Sequence, residues 1–410
     1  MRAVKFGGSS VADADKLRAA GALLAELRAR GPVTAVVSAM AGVTDGLLGV
    51  ARGALGGEQG WRDSLRAIGY RHRSAYRGLA GVVPRAFYDQ WAAIERDAEA
   101  LVHVRSTLGA TQTDLAAARF SGWGERLAVR LLAAATEAEG GAGFPVEEAP
   151  IQLVTSERSG VDPEPSALAT RAWLLPRLAM PVMRGEVPIL PGYIARDAEG
   201  RLTTLGRNGS DHSAAIIAQA LGVTRLTIYS DVAGVYTADP NVVEGARLLA
   251  TLAYDEAARI ARLGAKALHP RAVEPLAPGA IPLELRAAAG PFAPGTDIGS
   301  AERLARQRAR AATWVVAARP VGDSRCSEVT ALRLPPWPAD AVDGAQATRA
   351  VAALERALPG CAAHVIARDE ARLTVPNAHA RVTAQAWHAA LLERDDEQYE
   401  TGQNRLAAGA

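Results

Sequence analysis

The chain has 410 residues, 49% of them hydrophobic, and a formal net charge of +2. This length predicts two or three compact units with ample core, and the small positive balance does not favour nucleic acid or an anionic membrane as a partner. Two cysteines, Cys326 and Cys361, are too few for a disulfide framework and lack metal-ligand spacing. Because neither a signal peptide nor an apolar run of about 18 residues is recognisable, we expect a cytoplasmic protein.

Residues 1–300 alternate short apolar runs with helical patterns, which is typical of an α/β domain with a largely parallel sheet. A helix is predicted from about Ala12 to Arg30, and mainly helical periodicity runs from Gly46 to about Glu139. A polar turn inside Ala195–Thr204 predicts a hairpin. Strands are predicted at five further segments, namely Ala3–Phe6, Val33–Ser38, Val187–Leu190, Arg225–Ser230 and Ile281–Arg286.

The sequence changes in character after residue 300, where a second, smaller domain is predicted at 301–394. Its predicted elements, in chain order, are strands at Trp314–Ala318 and Glu328–Leu334, a helix near Ala345–Leu358, strands at Cys361–Arg368 and Ala371–Val375, and a helix near Arg381–Leu392. This is the order of a small α/β sandwich without a clear final strand. The polar tail at 395–410 is predicted to be disordered.

Lysine is rare in this chain, since only Lys5, Lys16 and Lys266 among 46 basic residues are not arginine. A retained lysine is a candidate for a role that needs a compact point charge instead of a planar guanidinium. Lys5 ends the apolar opening Met1–Lys5 and is followed, after Phe6, by Gly7-Gly8-Ser9, where backbone amides could hold a phosphate. Lys266 lies two positions after Gly264, whereas Lys16 is expected on a helix surface. A Gly-Gly-Ser-Ser turn alone is a weak signal, and it also fits a purely structural turn.

Two further segments have patterns that suit phosphate or carboxylate chemistry. Thr203–His212 leads into a helix of small residues, and Arg207 within it suits bidentate recognition of a carboxylate. The structural alternative is that Ser210 or Asp211 only caps that helix. Ser230–Pro240 follows a predicted strand, and loops at the carboxyl ends of parallel strands are where such sheets bind ligands; it could also be a plain loop.

Together these segments resemble the aspartate kinases of the amino-acid kinase superfamily. The resemblance implies an open, mainly parallel sheet between helix layers, followed by a small α+β ACT-like domain. It also implies that ATP and an amino acid bind at the carboxyl edge of the strands, in a homodimer. The segments that resemble the family's motifs occur in family order over residues 1–300, and they are Lys5–Ser10, Val37–Thr44, Gly124–Leu127, Thr204–Asp211, Ser230–Pro240 and Leu263–Pro270.

The resemblance implies an activity, the ATP-dependent phosphorylation of the side-chain carboxylate of L-aspartate to 4-phospho-L-aspartate. This is the first step of the aspartate-derived amino-acid pathway. Two alternatives stay open: a sister kinase that acts on another carboxylate, and a non-catalytic nucleotide-binding paralogue. Mg²⁺ is expected to be held mostly by phosphates and water, as its preference for octahedral oxygen ligands suggests, with no dedicated metal ligands in the protein.

The resemblance also implies residue roles. Lys5 would neutralise charge on the transferring γ-phosphoryl group and Asp211 would organise the charge network, so these two are the implied catalytic residues. Arg207 would take a substrate carboxylate and Glu125 the α-ammonium region. The implied nucleotide-binding residues are Gly7, Gly8, Ser9, Ser230, Asp231, Tyr236 and Lys266. The implied amino-acid-binding residues are Ser38, Thr44, Glu125, Tyr193, Arg207 and Ser210.

Several positions depart from the family pattern. Asn208 replaces a glycine, Tyr193 replaces phenylalanine, and Asn241 replaces an arginine that is a candidate phosphate partner. Asparagine tolerates the left-handed backbone region, so the turn at Asn208 is expected to survive. The family commonly ends in paired ACT modules, but only about 110 residues follow position 300 here. We therefore expect one divergent module that serves mainly in dimerisation, with weak or absent inhibition by lysine and threonine.

Overall fold

The computed structural model describes residues 1–155, 163–206, 208–264, 268–305, 313–320, 326–334, 363–367, 370–376, 380–389 and 391. The chain divides into two compact units. The first comprises Met1–Val232 and Arg286–Ala293, and the second comprises Ala233–Leu285 and the part of the chain from Pro294 onward. Within the described ranges, none of the helices has the length and apolar character needed to span a membrane.

The first unit begins with a strand and then alternates strands with helices. Its strands are β1 (Arg2–Phe6), β2 (Val33–Val37), β3 (Gly143–Pro145), β4 (Ile151–Thr155), β5 (Pro163–Pro165), β6 (Val187–Pro191), β7 (Ile194–Arg196), β8 (Leu202–Thr204) and β9 (Leu226–Ser230). Its helices are α1 (Ala14–Ala29), α2 (Val43–Gly56), α3 (Trp61–Ala80), α4 (Arg85–Val104), α5 (Ala110–Ser121), α6 (Trp123–Ala138), α7 (Ala167–Met183) and α8 (Gly209–Leu221).

The core of the first unit is a parallel sheet. Strand β1 pairs in parallel with both β2 and β9, β2 pairs with β6, and β6 pairs with β3. Every residue of β2 and β6 is buried, as expected for central strands with side chains covered on both faces. Helices α1 and α6 pack on each other and contact β2, while α8 contacts β1 and β2 and packs on α7. The predicted α/β class with a largely parallel sheet is confirmed.

Helix α1 shows how local sequence sets these elements. The Asp13 side chain accepts a hydrogen bond of 2.9 Å from the backbone N–H of Lys16, which satisfies one of the free amides at the helix start. Leu17, Leu24 and Leu27 then lie on its buried face at helical spacing. The Lys16 side chain is exposed, as predicted.

The predicted hairpin is also present. Strands β7 and β8 are antiparallel, with Ile194 opposite Thr204, and they belong to a small sheet of order β5-β4-β7-β8. The backbone N–H of Asp197 donates to the carbonyl of Arg201 across the turn, 3.0 Å apart. The hairpin therefore ends at Thr204, five positions before α8 begins at Gly209.

The second unit combines a short sheet with a separate antiparallel sheet. Its described strands are β10 (Thr251–Ala253), β11 (Leu283–Ala287), β12 (Thr296–Gly299), β13 (Thr313–Pro320), β14 (Cys326–Leu334), β15 (Ala363–Ala367) and β16 (Glu370–Pro376). Its described helices are α9 (Tyr254–Arg262), α10 (Pro270–Val273) and α11 (Ala301–Ala305), and residues 380–389 are also helical. Strand β12 pairs in parallel with β10 and antiparallel with β11.

The antiparallel sheet of the second unit has the order β13-β14-β16-β15. Its four strands and the helix at 380–389 lie where the sequence predicts strands and a final helix. The predicted helix near Ala345–Leu358 and the tail at 395–410 lie outside the described residues. Strand β14 contacts a neighbour on both sides, with Val329 opposite both Ala318 and Leu373. It is therefore a central strand of this sheet.

Candidate active site

A partly buried ion pair lies at the carboxyl end of β1. The Nζ atom of Lys5 is 2.5 Å from Oδ1 of Asp211, and the two side chains are 8% and 23% exposed. Asp211 lies in the first turn of α8, and α8 packs on β1, which explains why residues so far apart in sequence meet. The two atoms are close enough for an ion pair, although their angles are not those of a hydrogen bond. Asp211 therefore holds the Lys5 ammonium group at the sheet edge.

The turn after β1 lies directly beside this lysine. The Gly7 N–H donates to the carbonyl of Tyr229 at 3.1 Å, which extends the pairing of β1 with β9. A Cβ atom on Gly7 would lie 3.6 Å from Nζ of Lys5 and 3.8 Å from Oγ of Ser9. A Cβ atom on Gly8 would lie only 2.7 Å from the carbonyl oxygen of Ala39, so a side chain there would force the loops apart. The ammonium, the glycine turn and the Ser9 hydroxyl are therefore neighbours.

Glu125 provides a second buried charge-bearing group in the first unit. It lies in the first turn of α6 and is 2% exposed. Its Oε1 atom accepts a hydrogen bond of 3.4 Å from the backbone N–H of Ala39. Burial raises the pKa of Glu125 to about 8, against smaller opposing effects of hydrogen bonds from backbone amides and Thr44 and of the Lys5 charge. Glu125 and Thr44 therefore lie together, and their role in binding an amino acid stays a prediction.

Three further predicted residues, Ser38, Tyr193 and Ser210, also lie in the first unit. The Ser38 N–H donates to the carbonyl of Phe6 at 3.1 Å, so Ser38 follows β2 at the same edge as the turn after β1. A Cβ atom on Gly192 would lie 2.7 Å from Cβ of Ser210, which places Ser210 next to the Tyr193 segment. The Tyr193 hydroxyl shares a hydrogen bond of 3.2 Å with Ser121.

The backbone at the start of α8 accommodates the substituted residue Asn208. Asn208 has φ 56° and ψ 22°, in the left-handed region, and its carbonyl accepts the N–H of Asp211 at 3.2 Å. The expected turn is therefore present with asparagine in place of glycine. Tyr193 also has a positive φ of 62°, which the sequence analysis did not anticipate.

A cavity of about 410 Å³ brings together three of the predicted nucleotide-binding residues, Ser9, Ser230 and Asp231. The Ser230 hydroxyl donates to the carbonyl of Val232 at 3.0 Å, which turns the chain sharply after β9. Asp231 is exposed. The remaining residues that line the cavity are Phe6, Ser10, Asp15, Lys16, Ala19, Ala20, Leu23, Ala288 and Ala289.

For three other predicted site residues, no contact with the residues above is described. Arg207 and Lys266 lie outside the described residues. Tyr236 lies in the second unit, where it is half-buried and forms an isolated antiparallel bridge with Leu248. Their roles as binding residues stay predictions.

The next residue, Thr237, is in the middle of a hydrogen-bond network in the second unit. Its hydroxyl shares a hydrogen bond of 2.9 Å with Nε2 of His388 and accepts the N–H of Arg247 at 2.9 Å. Its carbonyl accepts the N–H of Val316 from β13 at 2.8 Å. The sequence analysis missed this contact because Thr237 and His388 are 151 positions apart and belong to no common motif.

The donor set bears on the expected metal. Across the described ranges, His, Cys, Asp and Glu side chains form no group of three or more that could hold an ion. Asp211 already faces Lys5. The side chains of the described region therefore do not form a protein cage for a metal ion.

A family model described as "Amino acid kinase family" matches residues 1–286. The chain belongs to the amino acid kinase family. It is 33% identical over 299 residues to lysine-sensitive aspartokinase 3 of Escherichia coli, an alignment that covers 71% of this chain and 62% of that relative. It is 30% identical over 313 residues to the bifunctional aspartokinase/homoserine dehydrogenase of Haemophilus influenzae, covering 73% of this chain and 36% of the relative. The chain thus matches less than two thirds of either curated relative.

Solved structures of aspartokinases share the fold. E. coli aspartokinase III in complex with aspartate and ADP superposes with a TM-score of 0.72 at 22% identity, covering 96% of this chain and 100% of that chain. The Clostridium acetobutylicum aspartate kinase also gives 0.72, at 17% identity, with coverage of 95% and 100%. The amino-acid kinase fold expected from the motifs is therefore confirmed.

Proposed function

We propose that this chain is an aspartate kinase, which transfers the γ-phosphoryl group of ATP to the side-chain carboxylate of L-aspartate and forms 4-phospho-L-aspartate. The product would enter the aspartate-derived amino-acid pathway. The observation that carries the proposal is the partly buried Lys5–Asp211 pair beside the Gly7-Gly8 turn. The similarity to aspartokinases, one of which binds aspartate and ADP with the same fold, supports the choice of substrate.

The proposed chemistry needs charge neutralisation more than acid–base catalysis. The attacking carboxylate of aspartate is already ionised near pH 7, so no general base has to remove a proton. One carboxylate oxygen forms a bond to phosphorus as the bond to the bridging oxygen of ADP breaks. Lys5 would stabilise the charge on the transferring group, and Asp211 would orient the ammonium before substrate arrives.

The phosphates would be held mainly by the backbone. The turn at Gly7 and Gly8 begins a short 3₁₀ helix at Gly8–Val11, with the Ser9 hydroxyl beside Lys5. Amides at such a turn bind anions without a side-chain charge. Ser230 and Asp231 share a cavity with Ser9 and would bind the rest of the nucleotide. Tyr236 and Lys266 are proposed nucleotide contacts on the resemblance alone.

The amino acid would lie on the Glu125 side. Glu125 would face the α-ammonium group, with hydroxyls from Ser38, Thr44 and Ser210 nearby, and Tyr193 would form the wall. Arg207 would take the α-carboxylate, a role that the resemblance implies. Mg²⁺ would screen the phosphate charges when it is bound with the nucleotide, and the described residues supply no protein cage for it.

The test is substrate-dependent ADP release, combined with trapping of the acyl phosphate by hydroxylamine. We expect ADP and hydroxamate in equal amounts with L-aspartate and much less of either with glutamate or N-acetylglutamate. A stronger response to another carboxylate would identify a sister kinase. Nucleotide binding without ADP release for any carboxylate would identify a non-catalytic paralogue.

We also propose a homodimer, a cytoplasmic location and an ACT-like role for the C-terminal sheet. The antiparallel β13-β14-β16-β15 sheet with the helix at 380–389 supports an ACT-like module, and dimerisation would be its main role. Sedimentation equilibrium of the full chain, and of a variant truncated after residue 300, would test the assembly. An unchanged number of chains per particle after truncation would contradict dimerisation through this segment.

A further inference from the structure

Glu125 is a carboxyl group in a pocket that is poorly suited to its ionised form. It is 2% exposed, and the hydrogen bond from the Ala39 N–H is long at 3.4 Å. Its Oε2 atom is buried and meets no hydrogen-bond partner among the described residues. An ionised carboxylate has about four acceptor positions, and leaving them unmet in an apolar site costs several kcal/mol.

The charges around Glu125 do not compensate for this burial. In the described part of the chain, the charged group that acts on it is Lys5 from β1, and Lys5 is 2.5 Å from Asp211 of α8. The facing group of α2 is the neutral hydroxyl of Thr44, and the loop after β2 contributes only the Ala39 amide. Lys5 is thus paired with the carboxylate of Asp211, and no cation among the described residues pairs with Glu125.

We propose that Glu125 carries a proton in the free protein and releases it to solvent when the ammonium group of the amino acid enters its pocket. The step is balanced, because a neutral carboxyl and a substrate ammonium become a carboxylate–ammonium pair plus one free proton. This inference rests on the proposed function, since it assigns the Glu125 pocket to the α-ammonium group of aspartate.

The pKa of Glu125, raised to about 8 by burial, agrees with this geometry. Near pH 7 most free molecules would carry the proton, and the bound ammonium would lower that pKa in turn. Linkage then requires aspartate affinity to rise about tenfold per pH unit below pH 8 and to level off above it. The effect distinguishes ligands, because succinate lacks the ammonium group and would leave Glu125 protonated.

The experiment is isothermal titration calorimetry of the full chain with L-aspartate in two buffers of different ionisation enthalpy. We expect close to one proton released per site at pH 6.5, falling to about half a proton at pH 8, where free aspartate is still an ammonium ion, and none with succinate. Glu125→Gln should abolish the release. Glu99→Gln, at a half-exposed position on α4 paired with Arg62, is the matched control and should leave it unchanged.

A second measurement covers the case in which Glu125→Gln binds too weakly to titrate. Infrared difference spectra of the unmodified protein should lose a protonated-carboxyl C=O band when L-aspartate binds and keep it with succinate. Aspartate binding without proton release, or with the carboxyl band retained, would overturn the proton proposal and leave the kinase assignment standing. Failure of L-aspartate both to bind and to support ADP release would reject the proposed function itself.

Discussion

Two polar networks, one in each unit, have different character. In the first unit, the sheet edge holds charge: Lys5 faces Asp211, and the carboxyl group of Glu125 lies in a nearly dry pocket. In the second unit, the segment after Tyr236 is held by uncharged groups, the Thr237 hydroxyl and the His388 ring. Burial and the Arg247 charge lower the pKa of His388, so its ring is neutral near pH 7.

The difference follows from what each region has to do. Buried charges are costly to fold around, so they are expected where a charged substrate has to be bound. Neutral hydrogen bonds fix a loop at lower cost, because neither partner has to lose the hydration of an ion. Substitutions of Lys5, Asp211 or Glu125 should therefore change turnover. Substitutions of Thr237 or His388 should instead change loop order and stability.

The largest expected effect is at Lys5. Lys5→Arg should lower kcat by about 100-fold or more, because a planar guanidinium cannot replace a point charge beside the glycine turn. The fold should stay intact, with a thermal midpoint near that of the unmodified chain. Steady-state kinetics with ATP and L-aspartate, together with thermal melts, make the measurement.

Arg66→Lys is the control exchange for this test. Arg66 is exposed on α3, where it pairs with Asp63, and it does not line the cavity that holds Ser9 and Ser230. Its replacement should keep kcat within about twofold of the unmodified chain. Near-normal turnover of Lys5→Arg, or equal losses in both variants, would contradict a special role for Lys5.

His72 offers a second neutral buried group, this time in the first unit. Its Nδ1 atom is 2.8 Å from the carbonyl of Ile68, and burial lowers the pKa of His72 to about 4. The unfolded chain takes up a proton below about pH 6.5 and the folded chain does not. Stability is therefore full above pH 6.5 and falls toward pH 4, by about 2 kcal/mol between pH 7 and 5 from this residue.

Urea unfolding at several pH values measures this loss. A His72→Gln variant is expected to be less stable at neutral pH but to show a shallower decline between pH 6.5 and 4. His103→Gln, near the carboxyl end of α4 and exposed, is the control and should leave the decline unchanged. An identical decline in both variants would show that other groups cause it.

The positions of Lys5 and Asp211 were easier to predict from the sequence than the contact of Thr237 with His388. Lys5 and Asp211 each belong to a motif beside a predicted strand or at a predicted helix start, so parallel-sheet topology alone brings them to one edge. Thr237 and His388 carry no such signal, because their contact depends on how the helix at 380–389 packs within its unit. The short strands β3, β4 and β5 were also missed, since three to five residues give too little periodicity.

A smaller effect is expected in the Thr237 network. Thr237→Val and His388→Ala should each cost about 1–2 kcal/mol of unfolding free energy, and their double mutant should cost less than the sum. If this network positions Tyr236 for the nucleotide, KM for ATP should rise severalfold with kcat nearly unchanged. Additive losses in the double-mutant cycle would argue against direct coupling.

Inhibition by lysine or threonine should be the weakest effect of all. The described C-terminal strands form a single sheet, and β14 at its centre contacts Ala318 of β13 on one side and Leu373 of β16 on the other, so its edges are occupied. An effector regulates only if it binds two states with different affinity. The contacts of this segment to Thr237 are hydrogen bonds between uncharged groups. The charged side chains of its sheet pair with one another, Glu328 with both Arg319 and Arg372. Titration of lysine and threonine, singly and together, into the ADP-release assay should therefore leave the rate unchanged at millimolar concentrations. Strong inhibition below that range would show that the second unit senses charged ligands after all, and the contrast between the two units would then fail.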